Sequence, residues 1–76
     1  MGFHSDTSLY RSAHGVEPKG FGLWYFTIMG ITNSNCRTVG EHWARGNLKD
    51  ARRQAVRDFK AACGERVQVL EVVIQP

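Results

Sequence analysis

The sequence has few cysteines and no long apolar run. It has two cysteines in 76 residues, Cys36 and Cys63, and they do not form a C-x-x-C pair. Two such thiols do not make a disulfide framework, which favours a reducing, cytoplasmic setting. No apolar run approaches the ~20 residues of a membrane helix, and no basic-then-apolar signal sequence opens the chain. We therefore expect no membrane partner.

Residue groups typical of catalysis or metal binding are also scarce. The histidines His4, His14 and His42 form no ligand pairs with one another or with the cysteines at metal spacing. Cys36 and His42 are the one conceivable nucleophile–base pair, but they lie six residues apart, roughly 20 Å along an extended strand. We expect no enzyme activity, no cofactor and no metal.

What the chain does have is the composition of one small folded domain. Hydrophobic residues make up 42% of it and charged residues 22%, which is ordinary for a globular protein. Ten Lys and Arg against seven Asp and Glu give a net charge of +3. This mild excess allows binding to nucleic acid or to an acidic protein surface and by itself indicates neither.

The order of the predicted elements is strand, strand, helix, strand. Residues 1–20 lack apolar periodicity and predict an irregular N-terminal arm, whereas residues 21–76 predict the folded domain. "FGLWYFTIMGI" alternates like a strand, "TNSN" at 32–35 is typical of a turn, and "CRTVGEHW" predicts a returning strand. Gly40 marks a bulge or the end of that second strand.

The helix is predicted by its ends and by its apolar face. Asn47 is a favourable N-cap, Asp50 suits the first turn, and Gly64 predicts the stop. The apolar arc consists of Leu48, Ala51, Ala55, Val56, Phe59, Ala62 and Cys63.

Two features near the helix leave alternatives open. Arg52 falls inside the apolar arc, so either its stem packs while its guanidinium reaches the sheet edge, or it pairs with Glu71. "RVQVLEVVI" predicts the last strand, and its alternation breaks at Val69–Leu70, which indicates a bulge or a strand covered on both faces.

Together these elements predict the α+β class, with one β-β-α-β domain whose three-stranded antiparallel sheet carries a helix on one face. Trp24, Phe26 and Ile28 would meet the helix in the core. The opposite face of the first strand is also apolar, and its expected partner-binding residues are Phe21, Leu23, Tyr25 and Met29. The arm, a second copy of the chain or a partner protein would cover this face, and we expect a homodimer or a host protein there.

The helix carries a second stripe, made of cations. Lys49, Arg53, Arg57 and Lys60 recur at i, i+4, i+8 and i+11. Such a stripe is either a solvated face or a contact with phosphates or with a carboxylate-rich protein. Lys19, before the first strand, is a fifth candidate cation.

"KGFGLWYF", Lys19 to Phe26, resembles the octapeptide of the RNA recognition motif, in which alternate aromatic residues stack on bases. The resemblance implies that Phe21 and Tyr25 stack on bases and that Lys19 meets phosphates. It covers eight residues. In that family the octapeptide lies on the third strand, after a strand, a helix and another strand, whereas eighteen residues precede it here.

The layout as a whole is similar to that of small phage and prophage accessory proteins, some anti-CRISPR and other anti-defence inhibitors among them. It combines an N-terminal arm, a hairpin, an Ala/Arg-rich helix ("DARRQAVRDF") and a Val-rich last strand. The similarity implies a non-catalytic protein that binds and modulates or inhibits a host protein within a nucleic-acid-handling or defence complex. The alternative is a module that binds RNA or DNA directly.

Overall fold

In the computed structural model, which describes residues 3–76, the chain forms a four-stranded mixed sheet and two helices. The elements in chain order are β1 (His4–Asp6), α1 (Ser8–His14), β2 (Phe21–Thr32), β3 (Arg37–Asn47), α2 (Leu48–Ala62) and β4 (Val67–Ile74). The strand order across the sheet is β1-β4-β2-β3. β2 is antiparallel to both of its neighbours, and β1 is parallel to β4.

The α+β class is confirmed, and the sheet differs in detail from the prediction. β2, β3, α2 and β4 follow the predicted order, and their three strands are antiparallel as expected. The N-terminal segment, predicted to be irregular, adds a fourth strand and a second helix within its described part. A three-residue strand has no usable periodicity, so β1 forms through its pairing with β4 and not through local preference. The domain boundary at residue 20 stays a prediction.

The β2–β3 hairpin is long and regular. Its turn is closed by the Thr32 N–H donating to the Cys36 carbonyl at 2.8 Å, and Asn35 takes the left-handed conformation at φ 67°. The prediction that Gly40 is a bulge or a strand end is wrong: Gly40 pairs with Ile28 in mid-strand. A Cβ at Gly40 would lie 2.8 Å from Cδ1 of Phe59, so close packing, not a turn, requires glycine here.

The ends of α2 are those that the sequence predicts. The Asn47 side chain accepts a hydrogen bond from the Asp50 N–H at 2.9 Å and donates one to the Asp50 carboxylate at 2.9 Å. At the other end Cys63 is the C-cap residue. Gly64 follows it with φ +73°, the left-handed conformation that commonly ends helices.

The break in the pattern of β4 is a bulge. Met29 pairs with Glu71 and Gly30 pairs with Val69, so Leu70 has no partner on β2. Because of this extra residue, Val67 and Val69 face α2 together with Val72 and Ile74, and all four are buried.

The core lies between α2 and one face of the sheet. It includes the predicted Trp24, Phe26, Ile28 and Phe59, each less than 10% exposed. Arg52 is half-buried and its Nη1 donates to the Ser5 hydroxyl at 3.1 Å, so its stem packs while its guanidinium reaches β1 at the sheet edge.

Candidate protein-binding face

The sheet face turned away from α2 carries a cluster of apolar side chains. The four residues predicted from β2 lie there, and β3 adds two more because its register puts them on the same side. The most exposed are Phe21 at 77%, Val39 at 62%, Trp43 at 60% and Leu23 at 55%. We call the whole set the open face: Phe21, Leu23, Tyr25, Met29, Val39 and Trp43.

An ordered aromatic pair stands in the middle of the open face. Tyr25 and Trp43 are directly opposite across the hairpin, and their rings stack with centroids 4.3 Å apart and planes 26° apart. The Tyr25 hydroxyl donates to Oε1 of Glu41 at 2.6 Å. That hydrogen bond, together with some desolvation and the carboxylate charge, raises the pKa of Tyr25 above its ordinary value. The hydrogen bond to Glu41 and the stacking on Trp43 both restrict the orientation of the Tyr25 ring.

Charged residues of both signs alternate with Val39 and Trp43 along β3, at one edge of the sheet. Arg37, Glu41 and Arg45 of β3 lie on this face opposite Ile31, Thr27 and Leu23 respectively, and all three charged side chains are exposed. An apolar, aromatic centre with a polar rim is the usual anatomy of a protein–protein interface.

Val39 and Trp43 were not predicted as part of this face, although the sequence contains the signal for them. Val39, Glu41 and Trp43 alternate on a strand, and the hairpin register follows from the turn at 32–35. Reading that register across would have placed both apolar residues beside Tyr25 and Met29.

A cleft of about 400 Å³ opens at one end of the open face. α1 forms one of its walls through Tyr10 and His14, whose rings stack at 4.2 Å, and Tyr10 also packs against Trp24 at 5.6 Å. Lys19 lines the cleft together with Phe21, Leu23, Tyr25 and Trp43. The candidate cation Lys19 therefore lies close to the sheet residues Phe21, Leu23 and Tyr25 that were predicted to bind a partner.

The four helical cations belong to the other layer of the molecule. Lys49, Arg53, Arg57 and Lys60, which we call the basic stripe, are exposed on α2. Lys49 and Arg53 border a cleft of about 210 Å³ over Phe3, and Lys60 borders one of about 500 Å³ over Phe3, Val67 and Val69. The sheet therefore separates the basic stripe from Lys19 and the open face.

The cysteine and histidine residues considered for catalysis are not brought together. Cys36 is exposed in the hairpin turn, whereas His42 faces α2 and packs edge-on against Phe59 with centroids 6.1 Å apart. Cys63 is half-buried beside the core.

The parallel β1–β4 pair assembles one group of possible ligand atoms that the spacing along the sequence did not predict. His4, Asp6 and Glu71 each offer one ligand atom, and these atoms lie within 4.8 Å of one another. The Ser8 backbone N–H donates to Asp6 at 2.9 Å and the Ser8 hydroxyl at 2.7 Å, which lowers the pKa of Asp6. The Asp6 carboxylate is therefore ionised at neutral pH.

Comparison with protein-family models, with curated proteins and with solved structures gave no match to this chain. In the part of the chain that the structure describes, no helix is both long enough and apolar enough to cross a membrane.

Proposed function

We propose that this is a non-catalytic binding protein that holds a protein partner on its open face. In line with the phage and prophage accessory proteins whose layout it resembles, the partner would be a host protein that the small chain modulates or inhibits, within a nucleic-acid-handling or defence complex. A second copy of the chain is the other occupant that this face could take.

The observation that carries the proposal is the exposure of large apolar side chains on one side of a well-ordered sheet. Phe21, Leu23, Val39 and Trp43 are each more than half exposed, although the alternate residues Trp24, Phe26 and Ile28 of β2 are buried in the core. Grouped exposure of this kind marks interaction surfaces on soluble proteins.

The chemistry of the open face favours a protein over a nucleic acid. Its centre combines Trp and Tyr, and Arg lies at its rim, the three residue types that contribute most to protein–protein affinity. The cations Arg37, Arg45 and Lys19 border the face. Glu41 and Glu71 lie on the same side of the sheet, so the face lacks the one-sided positive charge that attracts phosphates.

Direct binding of RNA or DNA is the second candidate function. One observation in its favour is that Lys19 lies beside the exposed ring of Phe21. Another is that, among residues 3–76, the four helical cations have no carboxylate within ion-pair distance. The one ion pair among residues 3–76 is Arg11–Glu17. A nucleic acid could use either surface, but the sheet lies between the two.

A capture experiment distinguishes the two functions. The protein is immobilised and exposed to a bacterial lysate, with and without nuclease treatment. The proposed function predicts a defined protein retained equally under both conditions. Capture that disappears with nuclease would instead support the nucleic-acid module and contradict the first proposal.

A further inference from the structure

The parallel pairing of β1 with β4 places three potential metal ligands on one side of the sheet edge. His4 lies directly opposite Glu71, and Asp6 follows two residues after His4, so all three side chains project to the same side. This arrangement depends on β1, which joins residues more than sixty positions apart in sequence. For that reason the spacing of histidines and cysteines along the chain gave no sign of it.

We propose that His4, Asp6 and Glu71 form a binding site for a divalent transition-metal ion, with Zn²⁺ the ion that the ligands fit. One imidazole nitrogen and two carboxylate oxygens make a three-ligand set, and a water molecule would complete a tetrahedron. The imidazole favours Zn²⁺ over Ca²⁺ and Mg²⁺, which select sites made of oxygen alone.

The distances require a small closure of the site. Bonds of about 2.0–2.2 Å to Zn²⁺ put tetrahedral ligand atoms roughly 3.4 Å apart, whereas the three ligand atoms here lie within 4.8 Å of one another. His4 is exposed, so a change of its side-chain rotamer can bring the imidazole toward the carboxylates, and a modest rotation of the Glu71 side chain completes the closure.

The backbone around the two carboxylate residues is held by hydrogen bonds and strand pairing. Oδ1 of Asp6 accepts both hydrogen bonds from Ser8, which orients the carboxylate and leaves Oδ2 available to an ion. Glu71 lies on β4 between β1 and β2, paired with His4 on one side and Met29 on the other. The ion would neutralise two neighbouring negative charges and link β1 to β4 beyond their three paired residues.

Isothermal titration calorimetry, in which Zn²⁺ is added to the untagged full chain, tests the site. The background carries Cys36→Ser, because Cys36 is an exposed thiol that could itself bind the ion. We expect one ion bound per chain and a higher melting temperature in the presence of Zn²⁺. His4→Ala and Glu71→Gln should each weaken binding by roughly tenfold or more, since loss of a direct ligand exceeds the effect of its outer-shell partners.

His14→Ala is the matched control, because His14 is an exposed histidine on α1 outside the ligand set. It should leave the affinity unchanged. The proposal is overturned if the background protein binds no Zn²⁺, or if His14→Ala weakens binding as much as His4→Ala does. Circular dichroism of each variant confirms that a loss of binding is not a loss of fold, and the conservative Glu71→Gln change keeps the test valid if His4→Ala perturbs β1.

Discussion

At the scale of single residues, the core depends on how closely Phe59 approaches the sheet. Gly30 and Gly40, on neighbouring strands, lie directly beneath its ring: a Cβ at either glycine would fall within 3.2 Å of a ring carbon. Phe59 itself is 2% exposed. The helical pattern predicts Phe59 as a core residue. The two glycines beneath its ring were not predicted, because their positions depend on the register of the hairpin.

Phe59→Ala should lower the free energy of unfolding by about 3 to 5 kcal/mol, because it empties the centre of a fully buried site. A domain this small has a low free energy of unfolding, so a large part of the population should unfold. Thermal melting followed by circular dichroism measures the effect. A melting temperature close to that of the parent would show that Phe59 is not at the centre of the core.

Gly40→Ala should destabilise the protein by about 1 to 3 kcal/mol, because the new methyl group overlaps the Phe59 ring. Gly22→Ala is the matched control: Gly22 lies on β2, and a Cβ there meets nothing within 4 Å. Urea unfolding of both variants compares them directly. Equal stability of the two would contradict the close packing of Gly40 on Phe59.

The hydrogen bond from Tyr25 to Glu41 predicts a pH dependence. Since it raises the pKa of Tyr25, the folded state holds the phenolic proton more tightly than the unfolded state does. Its contribution to stability is therefore complete below the ordinary tyrosine pKa of about 10 and is lost as the pH rises through the folded-state value.

Ultraviolet titration of the Tyr10→Phe protein, which keeps Tyr25 as its one tyrosine, measures this pKa. Glu41→Ala should lower the midpoint, whereas Glu65→Ala, at a residue that contacts Ser34 and not Tyr25, should not. An unchanged midpoint in Glu41→Ala would show that the hydrogen bond does not form in solution.

At the scale of elements, the predictable parts are those with local signals. α2 has an Asn cap, an amphipathic face and a glycine stop, and β2 alternates over twelve residues. The local signals of β1 and α1 are weaker. α1 ends at Gly15 with φ 75°, but it has no buried residue and no side-chain cap, and β1 exists by pairing with β4. The same limit applies to the cluster of His4, Asp6 and Glu71, which becomes visible only with that pairing.

The basic stripe on α2 makes a separate prediction about salt. If it binds phosphates, the affinity for an oligonucleotide should fall with salt on a log–log plot, and Arg53→Gln with Arg57→Gln should flatten the slope by about two. Fluorescence anisotropy over a salt series measures both slopes. The matched control is Arg37→Gln with Arg45→Gln, which removes the same charge from exposed residues of β3 on the opposite face of the sheet. The absence of binding even at low salt would leave the stripe without a nucleic-acid role.

At the scale of the whole molecule, two layers give the chain two different outer surfaces. One helix can cover one face of a sheet, so a β2 strand that is apolar on both faces must leave one apolar side exposed. The sequence predicts that imbalance from alternation alone. It does not name the occupant of the open face, because complementarity belongs to the partner as much as to this chain.

The measurement that tests the protein-binding face most directly compares two double variants in the same capture experiment. Leu23→Asp with Tyr25→Asp places two charges in the open face. Leu9→Asp with Val16→Asp makes the matched change at exposed apolar residues outside it. Light scattering on each protein reports whether the parent is a dimer and whether either variant changes its mass.

We expect both variants to remain folded, and we expect the open-face variant alone to lose the captured protein or, if the parent is a dimer, to become monomeric. A folded, monomeric parent whose captured partner is retained by the Leu23→Asp, Tyr25→Asp variant would contradict the proposed role of the open face.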